Sequence, residues 1–434
     1  MPRPYVRMGI VASGDQQARC ATALRPGLGT VPEAVAEAMD ALGAAPSLAI
    51  VQVCAPGDPL AGGRALAHAG QLLREASADC TVVGSTAHGV IGGSDSLELQ
   101  PGISVWLASL PGAQLRAFRI ATVPGPSGGL ALTGLPELHD DDRVAVLLID
   151  PWTLPADETI AAFTRVDGPL PVVGGFVSGG GRRGDSRLML DGAVFDNGAV
   201  GVVLDAQAPV RAVVSQGCRP IGDAMTVTGA AGNSIATLAG APALDRLREV
   251  ISSLDSDDQA LAVRGLHLGI AHDAHREGDV ASDYVIRGIL GVDAATGAIA
   301  VGDEVEVGAV VRLHLRDADS ADADLRSMAS AVGDAASGAY LFTCNGRGSA
   351  MFTTPDHDAA VLREGLRTPQ VGGFFAAGEI GPVGGANHLH GFTAVVLVVD
   401  PIVVEPDVEV AREHAGNGPE ALDLDAELRA LLGP

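Results

Sequence analysis

Short apolar runs alternate with helical patterns along most of the chain, and Gly and Pro residues separate them. Apolar runs bounded by such residues are typical of buried strands. Spacings of three and four between apolar residues instead indicate helices with one buried face. The runs predict strands at 48–54, 80–83, 144–149, 170–173, 188–190, 199–204 and 210–215. The helical patterns lie at 30–42, 64–76, 156–166, 243–252 and 319–331.

This alternation predicts an α/β protein with two lobes, mixed sheets, repeated β-α-β units and helices packed on the sheets. Long strand candidates at 262–271, 284–290 and 305–315 add antiparallel content to the second lobe. The runs 103–109 and 115–120, joined by a Pro-Gly turn, predict an antiparallel pair. We expect one domain over 1–206, a second over 207–404, and an acidic tail over 405–434 with one helix candidate.

A repeat underlies this order of elements. Three times, a strand, a helix and a second strand lead into a loop of small residues. The second strands with their loops are 82–89, 172–180 and 371–379. The last two share Gly-Gly-Phe, an apolar residue, two small residues and Gly. We therefore expect three related β-α-β units around one core.

The three loops follow strand ends, which is where ligands of open α/β sheets usually bind. Glycine lets the backbone approach a ligand closely, so we expect the loops to converge on one pocket. Candidate ligand-binding residues in the first two loops are Ser85, Thr86, His88, Gly174, Gly175 and Ser178. The alternative is that these glycines serve only turns and packing within the sheet.

The densest group of polar residues lies near the C-terminus. It contains Cys344, Asn345, Arg347, Gly378, Glu379, His388, His390 and Thr393. Because a guanidinium binds a carboxylate with two hydrogen bonds, Arg347 could hold a carboxylate while Glu379 holds an amine. Such a pocket would suit an amino acid, with hydrogen bonds from Ser85, Thr86 and Asn345 and a wall formed by Cys344 and His390. The alternative is that Arg347 and Glu379 pair with each other.

Single features in the chain are compatible with other chemistry. His388 and His390 could join Glu379 as metal ligands, but no fixed-spacing metal signature accompanies them, and we expect no metal. Cys344 beside a histidine could be a nucleophile, although a buried packing role is the simpler interpretation. A run of three histidines, His267, His272 and His275, has no metal-site spacing, and we expect solvated or capping side chains there.

Composition narrows the choice of partners. The chain has 434 residues with 28 basic and 53 acidic side chains, a net charge of −25. All the basic residues are Arg, which excludes a Schiff-base Lys or a P-loop Lys. The charge and the 3% aromatic content argue against nucleic acid and anionic membranes. The odd count of five cysteines and the absence of a signal sequence predict a cytoplasmic protein with reduced thiols.

Several segments together resemble the FIST family, whose members have FIST N and FIST C domains. Residues 82–92 resemble the Gly-Ser-Thr segment of the N domain, 173–175 and 198–202 its later strands, and 216–222 the entry to the C domain. Residues 341–348 resemble the Cys-Asn-Gly-Arg-Gly motif of the C domain. Residues 373–382 and 390–393 resemble its final signature, so the match covers about 30–400.

The resemblance implies a sensory module that binds a small ligand, with amino acids among the expected ligands. Relatives often carry kinase, cyclase or methyl-accepting output domains, whereas here the FIST-like region fills nearly the whole chain. We therefore expect a ligand sensor that signals to a separate protein, and binding rather than catalysis. Two alternatives stay open. One is a haem-based nitric oxide sensor, with His88, His388 or His390 as axial ligand, and the other is a cysteine-dependent enzyme acting on a small amide or ester.

Overall fold

The structure, a computed structural model, describes residues 10–11, 17–125, 129–271, 284–333, 335–401 and 403–404. The strands as far as residue 205 are β1 (Ile10–Val11), β2 (Arg19–Pro26), β3 (Leu48–Cys54), β4 (Thr81–Ala87), β5 (Gly89–Gly92), β6 (Asp95–Glu98), β7 (Gly102–Ser109), β8 (Leu115–Pro124), β9 (Leu130–Thr133), β10 (Asp142–Ile149), β11 (Thr164–Arg165), β12 (Gly168–Pro169), β13 (Val172–Phe176), β14 (Leu188–Leu190), β15 (Ala193–Phe195) and β16 (Ala199–Asp205).

The strands after residue 205 are β17 (Val210–Ser215), β18 (Cys218–Ala231), β19 (Ser234–Leu238), β20 (Ala241–Pro242), β21 (Leu266–Ala271), β22 (Tyr284–Asp293), β23 (Ala298–Val301), β24 (Val310–Arg316), β25 (Gly338–Cys344), β26 (Val371–Ala376), β27 (Glu379–Val383), β28 (Ala386–His390), β29 (Ala394–Val399) and β30 (Val403–Val404). The α-helices are α1 (Val31–Leu42), α2 (Pro59–Ala76), α3 (Ala156–Ala161), α4 (Ala243–Ser253), α5 (Ser256–Arg264), α6 (Ala318–Ala331), α7 (Gly348–Met351) and α8 (His357–Gly365).

Three sheets repeat one topology. Their strand orders are β15-β14-β4-β3-β7-β2, β28-β27-β13-β10-β16-β8-β9 and β6-β5-β26-β25-β29-β17. In each sheet, one parallel pair joined through a helix lies at the centre: β3 with β4, β10 with β13, and β25 with β26. Antiparallel strands flank each pair. The three predicted β-α-β units are therefore present, and the strands around each parallel pair follow an equivalent order in the three sheets.

The sheets exchange hairpins in a cycle. After β4, the chain forms β5 and β6, which add to the third sheet against β26. After β13, it forms β14 and β15, which add to the first sheet against β4. After β26, it forms β27 and β28, which add to the second sheet against β13. Every sheet thus takes a hairpin from another unit.

One hydrophobic core lies between the three sheets. It takes Ile50 from the first sheet, Val146 from the second and Phe342 and Phe374 from the third, all fully buried. The outer faces of the sheets are covered by helices, with α1 and α2 on the first sheet, α3 on the second, and α6 and α8 on the third. The fold class predicted from the sequence is confirmed: the protein is a mixed α/β structure.

An inserted sheet interrupts the third unit between β17 and α6. Its strand order is β18-β24-β21-β22-β23-β19-β20, and β18 also pairs with β19, so the sheet curls back on itself. It has its own hydrophobic cluster, to which α4 and α5 contribute. Separately, β1 and β30 pair antiparallel in a small unit of their own.

Several predicted elements need correction. The strands at 103–109 and 115–120 do not pair: β7 lies between β2 and β3, whereas β8 lies in the second sheet beside β16. Part of the predicted strand at 262–271 is the end of α5. The predicted helix at 156–166 ends at Ala161, because β11 and β12 form a hairpin directly after it.

The structure does not test two predictions, the helix in the C-terminal tail and the position of the domain boundary. The helix candidate in the tail, 421–432, lies outside the described residues. The domain boundary at 206 also stays a prediction.

Among the helices that the structure describes, none combines the length and the apolar character needed to span a bilayer.

Candidate ligand-binding site

A buried ion pair lies at the base of the site. The Arg347 side chain is fully buried, and its Nε and Nη2 donate to the two carboxylate oxygens of Asp358 at 2.7 and 2.9 Å. Asp358 also accepts hydrogen bonds from Thr343 Oγ1 and from the His357 ring. Burial alone would raise the pKa of Asp358, but Arg347 and these donors together hold it well below its ordinary value. The fork of Arg347 is therefore occupied by Asp358 and not by Glu379.

Glu379 is the second buried charge-bearing group of this region. It begins β27, is completely buried, and its Oε2 accepts from Thr393 N–H at 3.1 Å and Thr393 Oγ1 at 2.8 Å. Its Oε1 is also buried. Burial raises the pKa of Glu379 to about 8, against the hydrogen bonds from Thr393. Burial therefore favours the protonated form of this carboxyl group.

Cys344 ends β25 beside Glu379. Its sulfur accepts a hydrogen bond from Gly346 N–H at 3.5 Å. Burial, followed by the negative field of Glu379, raises the pKa of the Cys344 thiol far above its ordinary value. Because the thiolate is the nucleophilic form of cysteine, this environment favours an inert packing residue.

These residues all bind one segment of main chain, Phe392–Thr393. Arg347 Nη1 donates to Phe392 O at 3.2 Å, Cys344 N–H donates to Thr393 O at 3.1 Å, and Glu379 binds Thr393 as described. Phe392 has a φ of 63°, which is unusual for a residue with a side chain. We refer to Cys344, Arg347, Asp358, Glu379 and Thr393 as the motif cluster. The motif cluster fixes the position of Phe392.

The Phe392 ring lies at a cavity of about 250 Å³. The cavity is formed between the inserted sheet and the loop after β28. The residues that line the cavity include His267, Ile286, Arg287, Gly288, Leu389 and His390. The Arg316 guanidinium lies 4.6 Å from the centre of the Phe392 ring, and the His267 ring meets it edge-on at 5.1 Å. The motif cluster thus supports one wall of a cavity rather than enclosing one.

Arg287 supplies the positive charge of the cavity. Its Nε pairs with Asp303 at 2.8 Å, and its Nη1 donates to Leu389 O at 2.7 Å and to Ile286 O at 3.2 Å. Its Nη2 makes no hydrogen bond to any residue that the structure describes. Arg287 therefore keeps donors for an anionic group, and Asp303 lies beside it as a partner for a cationic one.

Burial favours the neutral form of the two histidines that line the cavity. Burial lowers the pKa of His267, and its Nδ1 lies 3.2 Å from Gly265 O. Burial also lowers the pKa of His390 to about 3, with Arg287 contributing, and Nε2 donates to Gly381 O at 3.0 Å. His390 Nδ1 is buried, makes no hydrogen bond to any residue that the structure describes, and is an acceptor in this tautomer. His267 is buried, so the expectation of a solvated or capping residue is wrong for it.

The candidates of the first two loops lie elsewhere. Ser85 Oγ donates to Gln52 Oε1 at 2.6 Å, and Thr86 Oγ1 accepts from Arg187 N–H at 2.9 Å, and both side chains are buried. Gly174 and Gly175 are buried in β13, where an added Cβ would collide with Leu147 O or meet Ala376 Cβ at 2.9 Å. All four residues pack around the central strands, and their roles in ligand binding stay predictions.

The three loops do meet one another. Ser178 Oγ accepts from His88 N–H at 2.8 Å and donates to the carbonyl of Phe375, so one hydroxyl joins all three loops. Gly378 O accepts from Phe176 N–H at 2.8 Å, and Gly378 has a φ of 149°. The side chain of Asn345 is exposed. Roles in ligand binding for these residues stay predictions.

His388 and His390, the candidates for a metal or a haem, lie close together on β28, and both cofactors stay open predictions. The rings of His388 and His390 lie 6.0 Å apart, and His390 Nε2 is committed to Gly381 O. Among the described residues, His139, Asp141 and Asp142 are the group of histidine and acidic side chains close enough to hold a metal ion. The Asp142 carboxylate already accepts two hydrogen bonds from Arg116.

A larger, more open groove of about 490 Å³ contains Arg143, Arg165 and Arg211. Each of these arginines donates to main-chain carbonyls: Arg143 to Val210 O at 3.0 Å, Arg165 to Asp142 O at 2.9 Å, and Arg211 to Val332 O at 3.0 Å. They hold segments of the chain together, and exposed Asp140 and Asp141 lie in the same groove.

Sequence reasoning named His390 of this cavity as a candidate but missed the charged residues that form it. Arg287 and Gly288 interrupt an otherwise apolar strand, and that interruption is the signal that could have identified them. Asp303 lies in a turn-rich stretch, and Asp358 lies 11 positions after Arg347 with no motif spacing between them. Only the fold brings these residues to their partners.

Comparisons with known proteins agree with the motifs. The sequence model described as the FIST N domain matches residues 49–241, and that of the FIST C domain matches residues 243–382. An uncharacterized protein of Mycobacterium tuberculosis is 46% identical over 328 residues, which are 74% of this chain and 84% of that protein. An uncharacterized protein of Mycobacterium bovis is 46% identical over 329 residues, 74% of this chain and 83% of that protein.

Among solved structures, a cyanuric acid hydrolase from A. caulinodans aligns with 88% of this chain and 99% of its own. The sequence identity is 11% and the TM-score is 0.29.

Proposed function

Because the chain belongs to the FIST family, whose domains are sensory and bind small ligands, we propose that it senses an amino acid in the cavity beside Arg287. One observation carries the proposal: a cavity of about 250 Å³ with a charged pair, Arg287 and Asp303, at its wall. A zwitterion needs both signs of charge. Arg287 and Asp303 take the place of Arg347 and Glu379 as the groups expected to bind the two ends of the ligand, since Arg347 is bound to Asp358 and Glu379 is buried.

The two charges suit the two ends of an amino acid. The free Nη2 of Arg287 would donate to the ligand carboxylate, and the planar guanidinium favours that geometry. The Asp303 carboxylate would accept from the ligand ammonium group. Ile286, Leu389 and Phe392 offer apolar surface for the rest of the molecule. This mixture of apolar walls and a few polar groups is typical of small-molecule sites.

The motif cluster would act on the ligand indirectly, without touching it. Arg347, Cys344 and Glu379 hold Phe392–Thr393 through main-chain contacts, and Phe392 forms the cavity wall. They are positioning residues in this account. A cytoplasmic location and signalling to a separate protein belong to the same proposal, as its expected setting.

A binding screen tests the proposal. We expect a thermal shift with one or a few of the common amino acids, because a ligand at a hundredfold excess over Kd stabilises the native state by about 2.7 kcal/mol. The Arg287→Gln variant removes the charge. The affinity measured by calorimetry should fall about 10- to 100-fold, which corresponds to the free energy of a charge-assisted hydrogen bond. Arg287→Lys should be intermediate, since it keeps the charge without the fork.

The matched control is Arg248→Gln, which makes the same substitution on the exposed face of α4. It should bind as the wild type does. Equal affinity in Arg287→Gln and the wild type would remove the proposed site. Haem belongs in the same screen: a shift with haem alone would favour the gas-sensor alternative instead.

A further inference from the structure

Gly288 is a glycine that the backbone does not require. Its φ is outside the left-handed region, and a Cβ built at this position would meet nothing within 4 Å. Gly391, in the loop after β28, has the same two properties. Both residues line the 250 Å³ cavity. The missing side chains therefore leave space in the cavity, and no strand or turn depends on them.

The face of β22 on which Gly288 lies is fixed by the strand pairing. Gly288 is the register partner of His267 on β21, and directly paired residues of antiparallel strands point to the same side. Ile286, two positions earlier, points to that side as well. His267 and Ile286 both line the cavity. A side chain at position 288 would consequently extend into it.

The surroundings of Gly288 suit an apolar group. The walls that a ligand side chain would meet here are Ile286, Leu389 and Phe392, all apolar. The open space at Gly288 and the apolar walls together point to an aliphatic side chain.

We infer that Gly288 leaves the space for the ligand's side chain, and that the cavity takes an α-amino acid whose aliphatic side chain lies over Gly288. This inference rests on the proposed function, because it presumes that Arg287 and Asp303 hold the ligand's charged ends. It adds the ligand class and names the residue that selects it.

Calorimetric titration of glycine, alanine, valine and leucine into the purified protein tests the inference. In the wild type, affinity should rise about fourfold for each added methylene that is buried, up to valine or leucine. In Gly288→Ala, valine and leucine should bind at least about fivefold more weakly, because an extra methyl in a filled space is destabilising. Alanine should change by less than about twofold.

The matched control is Gly291→Ala. Gly291 lies three residues further along the same strand, is exposed, and also has open space around it, but it does not line the cavity. It should reproduce the wild-type series. Thermal unfolding of each variant checks that the fold is retained, and Gly391→Ala repeats the test if Gly288→Ala does not fold.

The outcomes separate the two claims. Valine or leucine binding that is lost in Arg287→Gln and weakened in Gly288→Ala supports both. An unchanged affinity series in Gly288→Ala and Gly391→Ala overturns the role of Gly288 while the proposed function stands. A wild type that binds none of the amino acids overturns both.

Discussion

Arg347 has no exposed surface, and its position is explained by the groups that surround it. Asp358 takes two of its hydrogen bonds and Phe392 O takes another. A buried charge is tolerated when such partners satisfy it, and removing either partner typically costs about 3–5 kcal/mol. The Arg residue type correctly indicated carboxylate binding, but the carboxylate belongs to the protein itself.

Glu379 leads to a prediction about pH. Burial raises its pKa from an ordinary 4.5 to about 8, so the folded protein holds this proton more tightly than the unfolded chain does. Its contribution to stability is complete below about pH 4.5 and falls as the pH rises toward 8, with a slope of at most about 1.4 kcal/mol per pH unit. Urea unfolding at pH 5 to 9 should show a steeper fall for the wild type than for Glu379→Gln.

The comparison variant for this measurement is Glu249→Gln on the exposed face of α4, which should follow the wild type. Parallel stability curves for the wild type and Glu379→Gln would contradict a protonated, buried Glu379. The glutamine variant is suitable because its uncharged amide can accept the Thr393 hydrogen bonds that the carboxyl now accepts.

At the scale of elements, three glycines occupy equivalent positions. Gly84, Gly174 and Gly373 lie in the second strand of each β-α-β unit, directly opposite Val51, Leu147 and Leu341. At each position an added Cβ would collide with the carbonyl oxygen of that opposite residue. The glycines thus permit close approach of the two parallel strands, and the repeated glycine pattern in the sequence reflects sheet packing.

The central strand pair of the second sheet supplies the corresponding prediction. Gly174→Ala should lower the free energy of unfolding by about 3 kcal/mol or more, because the clash is with backbone that cannot move aside. Gly181→Ala, where the added Cβ meets nothing within 4 Å, should change it by less than about 0.5 kcal/mol. Urea unfolding measures both, and equal losses in the two variants would show that the strand spacing does not require Gly174.

The elements also show what sequence patterns can predict. The buried runs and helical periodicities located the three parallel pairs, since both signals are local. The pairing of 103–109 with 115–120 was wrong because a Pro-Gly turn does not specify which sheet the next strand enters. At β8, burial alternates along the strand, and β16 offers it a partner 80 residues further on.

At the scale of the whole molecule, the cyclic exchange of hairpins is the feature that sequence could not reveal. β5, with β6 on its other side, pairs with β26 from the far end of the chain, and β27 pairs with β13. The exchange brings the loop after β28 near the inserted sheet, where Arg287 binds Leu389 O. The cavity is therefore a product of long-range topology, whereas the motifs that support its wall were visible as local patterns.

The central claim is that a small ligand binds between Arg287 and Phe392, on a wall held in place by the motif cluster. A crystal structure of the protein grown with the best-binding amino acid from the screen tests this most directly. The account predicts the ligand in the 250 Å³ cavity, its carboxylate on Arg287 and its side chain over Gly288. A ligand bound against Cys344 and Glu379, or in the groove of Arg143, Arg165 and Arg211, would contradict it.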